Sequence, residues 1–327
     1  MRRFIILLYS LTGVFAYYRR RQKSPMVLFW HDVAKNASST IEGESFPTKL
    51  FCKQITYLKK HYEIISMEEY YDRYIHRTFT NREVVITFDD GYKNNLLVAA
   101  PILKAQNIPF SIFISANNVE LQKRFYVLIP RMIIIGARLT EVGIPLLSYR
   151  KTCNTDAERI ACAKEIEHKI KYLSHNDAEA VANYLVSIIG KEKFNALCNQ
   201  YTNGMLLSWD DVIKLHDEYG CTIGSHCMDH CICHETQDKE AVRYQLVESK
   251  KLIEKRTGLK CDFFAYPNGD YTDYSNNIVE KEYKMGFSTE RIPAYNNKSI
   301  ASVGRIGVPS SYLLFKYAIT MGAIQYR

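Results

Sequence analysis

A chain of 327 residues that is 47% hydrophobic can bury a sizeable core, as one large α/β domain or two smaller ones. Its formal charge of +8 is unevenly spread: six basic residues and no acid lie in the first 24, leaving +2 on the other 303. A nearly neutral body excludes a nucleic-acid footprint across the domain and confines the basic character to an N-terminal tail.

In that tail, arginines flank the apolar run FIILLYSLTGVFAYY (Phe4–Tyr18). The run is shorter than the roughly 20 residues that span a bilayer. The Arg19-Arg20-Arg21 that follows is a poor cleavage region for a signal peptide, where small residues are preferred. Residues 1–24 are therefore expected to lie in an anionic membrane surface; the alternative is an ordinary helix packed on the domain. Nine cysteines scattered through a large chain suit a reducing compartment, which favours the cytoplasmic face over a secreted or cell-surface location.

Along the rest of the chain, five short apolar runs read as buried parallel strands: Met26–His31, Glu83–Asp90, Phe110–Ser115, Cys221–His226 and Asp262–Pro267. Helical patterns separate them. Lys49–His61 places Leu50, Phe51, Ile55 and Leu58 on one face, Asn95–Gln106 and Lys239–Thr257 read the same way, and Ser208-Trp209-Asp210-Asp211 opens a helix with a capping box. Alternating strands and helices imply a parallel sheet covered by helices, either a barrel or a doubly wound sheet. From about 121 to 205 the rhythm breaks, and the sequence reads as a helical insertion that covers or extends a site. Each strand ends in a polar or turn-forming group: His31, Asp89-Asp90-Gly91, Ser115-Ala116-Asn117, His226 and Pro267-Asn268-Gly269. In an α/β barrel these ends converge on one mouth.

Two of the strand ends carry chemistry. Adjacent carboxylates, as in ITFDDGY (Ile86–Tyr92), raise one another's pKa unless a cation compensates. A metal ion would do so, with one Asp as ligand and the other as base; an ordinary Asp-Asp-Gly turn is the alternative. The second end is SHCMDHCICHE (Ser225–Glu235), where His226 and His230 are four residues apart and can face one cation. Two histidines and a carboxylate are a common catalytic zinc set with a position left open. Cys221, Cys227, Cys231 and Cys233 lack the two-residue gap of a zinc knuckle and read as small buried hydrophobes.

ITFDDGY with IPFSIFIS, the segment LSWDDVIKLHDEYGCTIGSHCMDH and FFAYPNGDYTDY together resemble the successive motifs of the polysaccharide deacetylase (NodB-homology) family, carbohydrate esterase family 4. VLFWHDV resembles the opening of its poly-N-acetylglucosamine deacetylase branch. The resemblance covers residues 26–115 and 206–308. It implies a distorted (β/α) barrel over residues 25–327, interrupted by the insertion. It also implies a metal-dependent hydrolase that removes N-acetyl groups from amino sugars of a surface or envelope polysaccharide or its lipid-linked precursor. Carried over by position, Asp90, His226 and His230 match the metal ligands and Asp89 the catalytic base. Tyr92 matches a backbone oxyanion donor, and Tyr266 and Pro267 fall in the substrate-binding segment. The metal is expected to be zinc, although the same ligand set accepts cobalt or nickel.

The chain departs from the pattern in three places. Cys227 replaces the usual Ser or Thr after the first histidine of the pair. Tyr266 stands where many members have an Arg that orients the base. The Leu-x-His that supplies the acid is missing, which makes His31 the candidate acid. Arg305, in VGRIGV, matches a basic residue of this branch and is expected either to steady Asp89 or to lie on the surface. Alternatives on the same fold are a deformylase, an O-acetyl esterase and an inactive carbohydrate-binding protein.

Overall fold

The computed structural model describes residues 2–22, 24–36, 40–42, 45–290, 294, 297 and 299–322; Met1 and Lys23 of the N-terminal segment lie outside them. Its thirteen strands, among the described residues, are β1 (Met26–Trp30), β2 (Asp32–Ala34), β3 (Ser45–Pro47), β4 (Glu63–Ile64), β5 (Glu83–Phe88), β6 (Ser111–Ile114), β7 (Glu141–Ile144), β8 (Tyr149–Thr152), β9 (Thr222–Ser225), β10 (Phe263–Ala265), β11 (Met285–Ser288), β12 (Val303–Gly304) and β13 (Ile306–Gly307). The main sheet runs β12-β11-β10-β9-β6-β5-β1-β13, all parallel, with β4 added to the start of β5. β12 and β13 lie at opposite ends of this order yet are adjacent in sequence, separated by Arg305 alone. One five-residue stretch thus closes the sheet on itself, giving the distorted (β/α) barrel expected from the sequence.

Period-two alternation decides what fills the barrel and what faces the helices. On β5, Val84, Ile86 and Phe88 pack outward against helices, including Phe51, Ile55 and Leu58 of the helix Thr48–His61. Val85 points inward and joins Val27, Phe113, Phe263, Phe287 and Val303 in a filled lumen. Ile65, Met67 and Tyr70 belong to the same cluster and follow β4 at the strand starts, so the base of the barrel is closed. Gly224 of β9 is dictated by this packing, because a Cβ there would lie 2.5 Å from the Phe113 ring.

The five strands read from the sequence are present, as are the helices Thr48–His61 and Lys239–Thr257. The Ser208 capping box forms with Asp211 and opens the helix Trp209–Tyr219, which Gly220 ends in the left-handed region at φ 64°. The insertion has its own core, built on Ile133, Cys162, Ile166, Val181 and Leu185. It is not wholly helical: β7 and β8 form an antiparallel hairpin within it. Two of its helices, His175–Ile189 and Lys191–Gln200, are divided at Gly190, whose φ of 81° a helix cannot continue through.

The N-terminal segment forms two short helices, Arg2–Leu11 and Val14–Arg20. Ile6 and Phe15 are buried against the domain, whereas Leu7, Leu8, Leu11 and Tyr17 are exposed. Among the described residues, no helix is long and apolar enough to cross a membrane.

Candidate functional site

β1, β5, β9 and β10 deliver His31, Asp89 and Asp90, His226 and Tyr266 to one mouth of the barrel. All five line a cavity of about 300 Å³ with His230 and Tyr92. Of the residues singled out from the sequence, Pro267 is buried but does not line the cavity. Ser115 is also buried, and its hydroxyl donates to the His226 carbonyl at 2.9 Å, which steadies the loop that carries the histidines.

The backbone turns sharply to aim these side chains. Asp90 and His230 both adopt left-handed φ, 77° and 56°, and Gly91 follows Asp90 at 89°. Non-glycine residues pay a conformational cost there that the surroundings must offset. Around the first turn, Lys93 N–H donates to the Met205 carbonyl (2.8 Å) and Leu207 N–H to that of Gly91 (2.9 Å). Around the second, the Ala116 and Asn117 amides donate to the Cys227 and Met228 carbonyls, and the Tyr126 hydroxyl to that of His230 (3.3 Å).

Asp90, His226 and His230 each offer one ligand atom, and the three atoms lie within 4.8 Å of one another. Among the described residues this is the one such group of three or more His, Cys, Asp or Glu side chains. The Asp90 Oδ1 is buried without a hydrogen-bond partner and lies 3.5 and 3.4 Å from His226 Nε2 and His230 Nε2. Burial pushes the His226 pKa down to about 4, and its Nδ1–H donates to the Ala265 carbonyl at 2.7 Å. That leaves a neutral ring with its Nε2 lone pair turned to Asp90, the tautomer a metal ligand needs. An orphaned buried carboxylate oxygen facing two imidazoles fits a divalent cation.

Asp89 is held differently. Burial would raise its carboxyl, but Arg305 outweighs that and keeps it below the usual carboxylate range. Arg305 Nη1 and Nη2 each lie 2.7 Å from one Asp89 oxygen. The guanidinium is fully buried and sits between the Phe29 and Phe113 rings, 4.6 and 5.3 Å from their centroids. The surface position considered for Arg305 is thereby excluded. It brings a guanidinium to Asp89 from the closing strand, although Tyr266 occupies the position before Pro267.

The cysteines pack rather than chelate. Cys221, Cys227, Cys231 and Cys233 are buried, Cys227 Sγ faces the Cys231 carbonyl at 3.6 Å, and burial pushes the Cys227 thiol up, away from the thiolate a metal needs. His234 hydrogen-bonds Thr236 and does not line the cavity. One wall was not foreseen residue by residue. The insertion contributes Phe125, Val127, Leu128, Arg131, Glu167 and Lys171. These residues reach the site through tertiary packing, and nothing local in the sequence marks them.

The polysaccharide deacetylase family model matches residues 76–134 and 163–287, more than half of the chain. The chain belongs to the polysaccharide deacetylase family. Among solved structures, the fold is similar to the Streptococcus pyogenes deacetylase PplD in complex with acetate (15% identity, TM-score 0.59, 92% of this chain and 99% of that one). It is also similar to IcaB from Ammonifex degensii (16%, 0.58, 90% and 96%). A third is a de-N-acetylase from Aggregatibacter actinomycetemcomitans (16%, 0.52, 88% and 96%). At such identities the likeness establishes the fold. No curated protein sequence matches the chain.

Proposed function

We propose that the protein is a metal-dependent hydrolase that removes N-acetyl groups from amino sugars of a surface or envelope glycan or its lipid-linked precursor. The observation that carries this reading is the juxtaposition, in one cavity, of a three-ligand cation site and a carboxylate kept ionised by a buried arginine. Asp90, His226 and His230 would hold the metal, zinc first and cobalt or nickel as alternatives. When bound, it supplies the Lewis acidity that amide hydrolysis requires.

The chain's own residues then divide the remaining work. Asp89 accepts the proton of the attacking water, since its carboxyl stays ionised beside Arg305. The Tyr92 backbone amide stabilises the developing oxyanion. His31, at the end of β1 and on the cavity wall, returns a proton to the departing amine. Tyr266 and Pro267 belong to the sugar-binding side.

The decisive experiment measures divalent metal in the purified full chain and acetate released from N-acetylated glycans, with formate and ester substrates in parallel. Bound metal, and acetate release that Asp89→Asn abolishes, supports the reading. Formate or ester cleavage alone points to a deformylase or esterase. Absence of metal, with activity unchanged in Asp89→Asn, overturns hydrolysis at this site.

We also propose that residues 1–24 hold the protein at the cytoplasmic face of a membrane. Exposed Leu7, Leu8, Leu11 and Tyr17 beside Arg19 to Arg21 support an interfacial contact with anionic lipid. Equal partition of full-length and tail-deleted protein between membrane and soluble fractions would count against it.

A further inference from the structure

The charges that line the cavity are not balanced. Asp89 is neutralised by Arg305, and Glu167 is neutralised by Arg131, whose Nε and Nη2 donate to its two oxygens at 2.7 and 2.6 Å. Asp90 would be more than compensated by the divalent cation that it, His226 and His230 could hold. Lys171 remains, and the partner of its ammonium is a neutral group, the Asn268 Oδ1 at 3.0 Å. Behind that contact, Asp270 accepts from the Asn268 amide and does not line the cavity.

Lys171 is placed there by the insertion. It caps the helix Asp156–Ile170 and stands four residues after Glu167, so both share the face turned to the cavity. The Arg131–Glu167 pair ties that helix to the segment Ile129–Arg131, which fixes the face. Asn268, on the loop after β10, then holds the ammonium across the cavity beside Tyr266, whose buried hydroxyl has no partner. An ammonium bound to one carboxamide oxygen keeps donors in hand for a ligand. At about 300 Å³ the cavity has room for a sugar residue with a substituent.

We propose that this wall selects N-acylated amino sugars carrying an anionic substituent, a phosphate or a carboxylate, and that Lys171 is the residue that recognises it. The inference rests on the deacetylase reading for the reaction, but the recognition can be read without turnover.

The test compares N-acetylglucosamine, N-acetylglucosamine 1-phosphate and N-acetylmuramic acid on the metal-loaded full chain, its Lys171→Met variant and its Lys171→Arg variant. Acetate release and calorimetric binding are both measured at low salt. The expectation is that kcat/KM and affinity favour at least one anionic compound over the neutral sugar by about tenfold, the order of one charge-assisted hydrogen bond. Lys171→Met should abolish that preference by lowering affinity and kcat/KM for the anionic compound to the level of the neutral sugar, and Lys171→Arg should keep it. Preference for the phosphate or for the muramic acid identifies which anion is read. Equal treatment of all three compounds by the wild type, or a preference that survives Lys171→Met, overturns the proposal. If no compound releases acetate, the deacetylase reading is decided by the glycan assay above, and the binding preference with its loss in Lys171→Met still decides the role of Lys171.

Discussion

Arg305 and Asp89 form a two-pronged ion pair, both bonds 2.7 Å long, between side chains that are almost completely buried. The pair joins the closing strand to the end of β5, so it connects completion of the barrel with the state of the candidate base. Removing one partner leaves the other charge stranded away from water. Arg305→Met is therefore expected to lower unfolding stability by about 3–5 kcal/mol in urea titrations and to cut kcat at least a hundredfold. The double variant Asp89→Asn, Arg305→Met should regain much of the stability and none of the activity. A double variant whose loss equals the sum of the losses in Arg305→Met and Asp89→Asn would show that the pair is not coupled.

Metal content separates the histidines from the cysteines. His226→Ala, His230→Ala and Asp90→Ala should each lose bound metal by elemental analysis, because each ligand atom is one of three that converge. Changing Cys227, Cys231 and Cys233 together to Ala should leave the stoichiometry intact. A chelator should abolish activity in the wild type, and added zinc or cobalt should restore it. Loss of metal in the cysteine variant would instead establish a thiolate site.

His31 is testable through the leaving group. An amide must be protonated as the amine departs, whereas an aryl ester leaves without help. His31→Gln should reduce kcat on N-acetylated sugars by roughly 10²–10³-fold, the usual worth of a general acid, and should barely affect hydrolysis of 4-nitrophenyl acetate. Its metal content should match the wild type. A similar loss on both substrates would make His31 a residue that shapes the cavity rather than a proton donor.

How much of this was legible in the sequence depends on where each signal is stored. Asp89, Asp90 and His226 sit at the ends of strands whose apolar runs are strong, and His230 follows at a spacing that suits a shared ion, so strand and chemistry point to the same positions. Arg305 is harder to read. The closing strand is split into two residues on each side of it, too short for alternation to say whether the side chain points in or out. The β7–β8 hairpin is hidden for a related reason: only Val142 and Ile144 are buried, and β8 is mostly exposed, so neither strand carries an apolar run. Arg131, Glu167 and Lys171 look like ordinary charges on helices, and only the packing of the insertion against the barrel brings them to the cavity.

At the opposite end of β5, Glu83 gives the fold a pH dependence that can be read apart from the site. Its carboxylate accepts from the Thr80 and Arg82 amides at 2.6 and 2.9 Å and from Arg73 Nη1 at 2.8 Å. Burial pulls its pKa up, but the Thr80 and Arg73 bonds win, and the group ends below its ordinary 4.5. The unfolded chain then binds the proton more readily than the folded one. The contribution to stability is complete above about pH 4.5 and is lost as pH falls through the folded value. Glu83→Gln should lower stability at pH 7 by about 1–3 kcal/mol, the cost of weakening buried bonds to a charged group. It should also flatten the fall in urea midpoint between pH 5 and pH 3 relative to the wild type, where other carboxylates still titrate. Metal content and kcat at pH 7 should not change, since Glu83 lies at the strand start and the cavity at the strand end. Parallel acid profiles for wild type and variant would mean that Glu83 is not among the groups whose protonation weakens the fold.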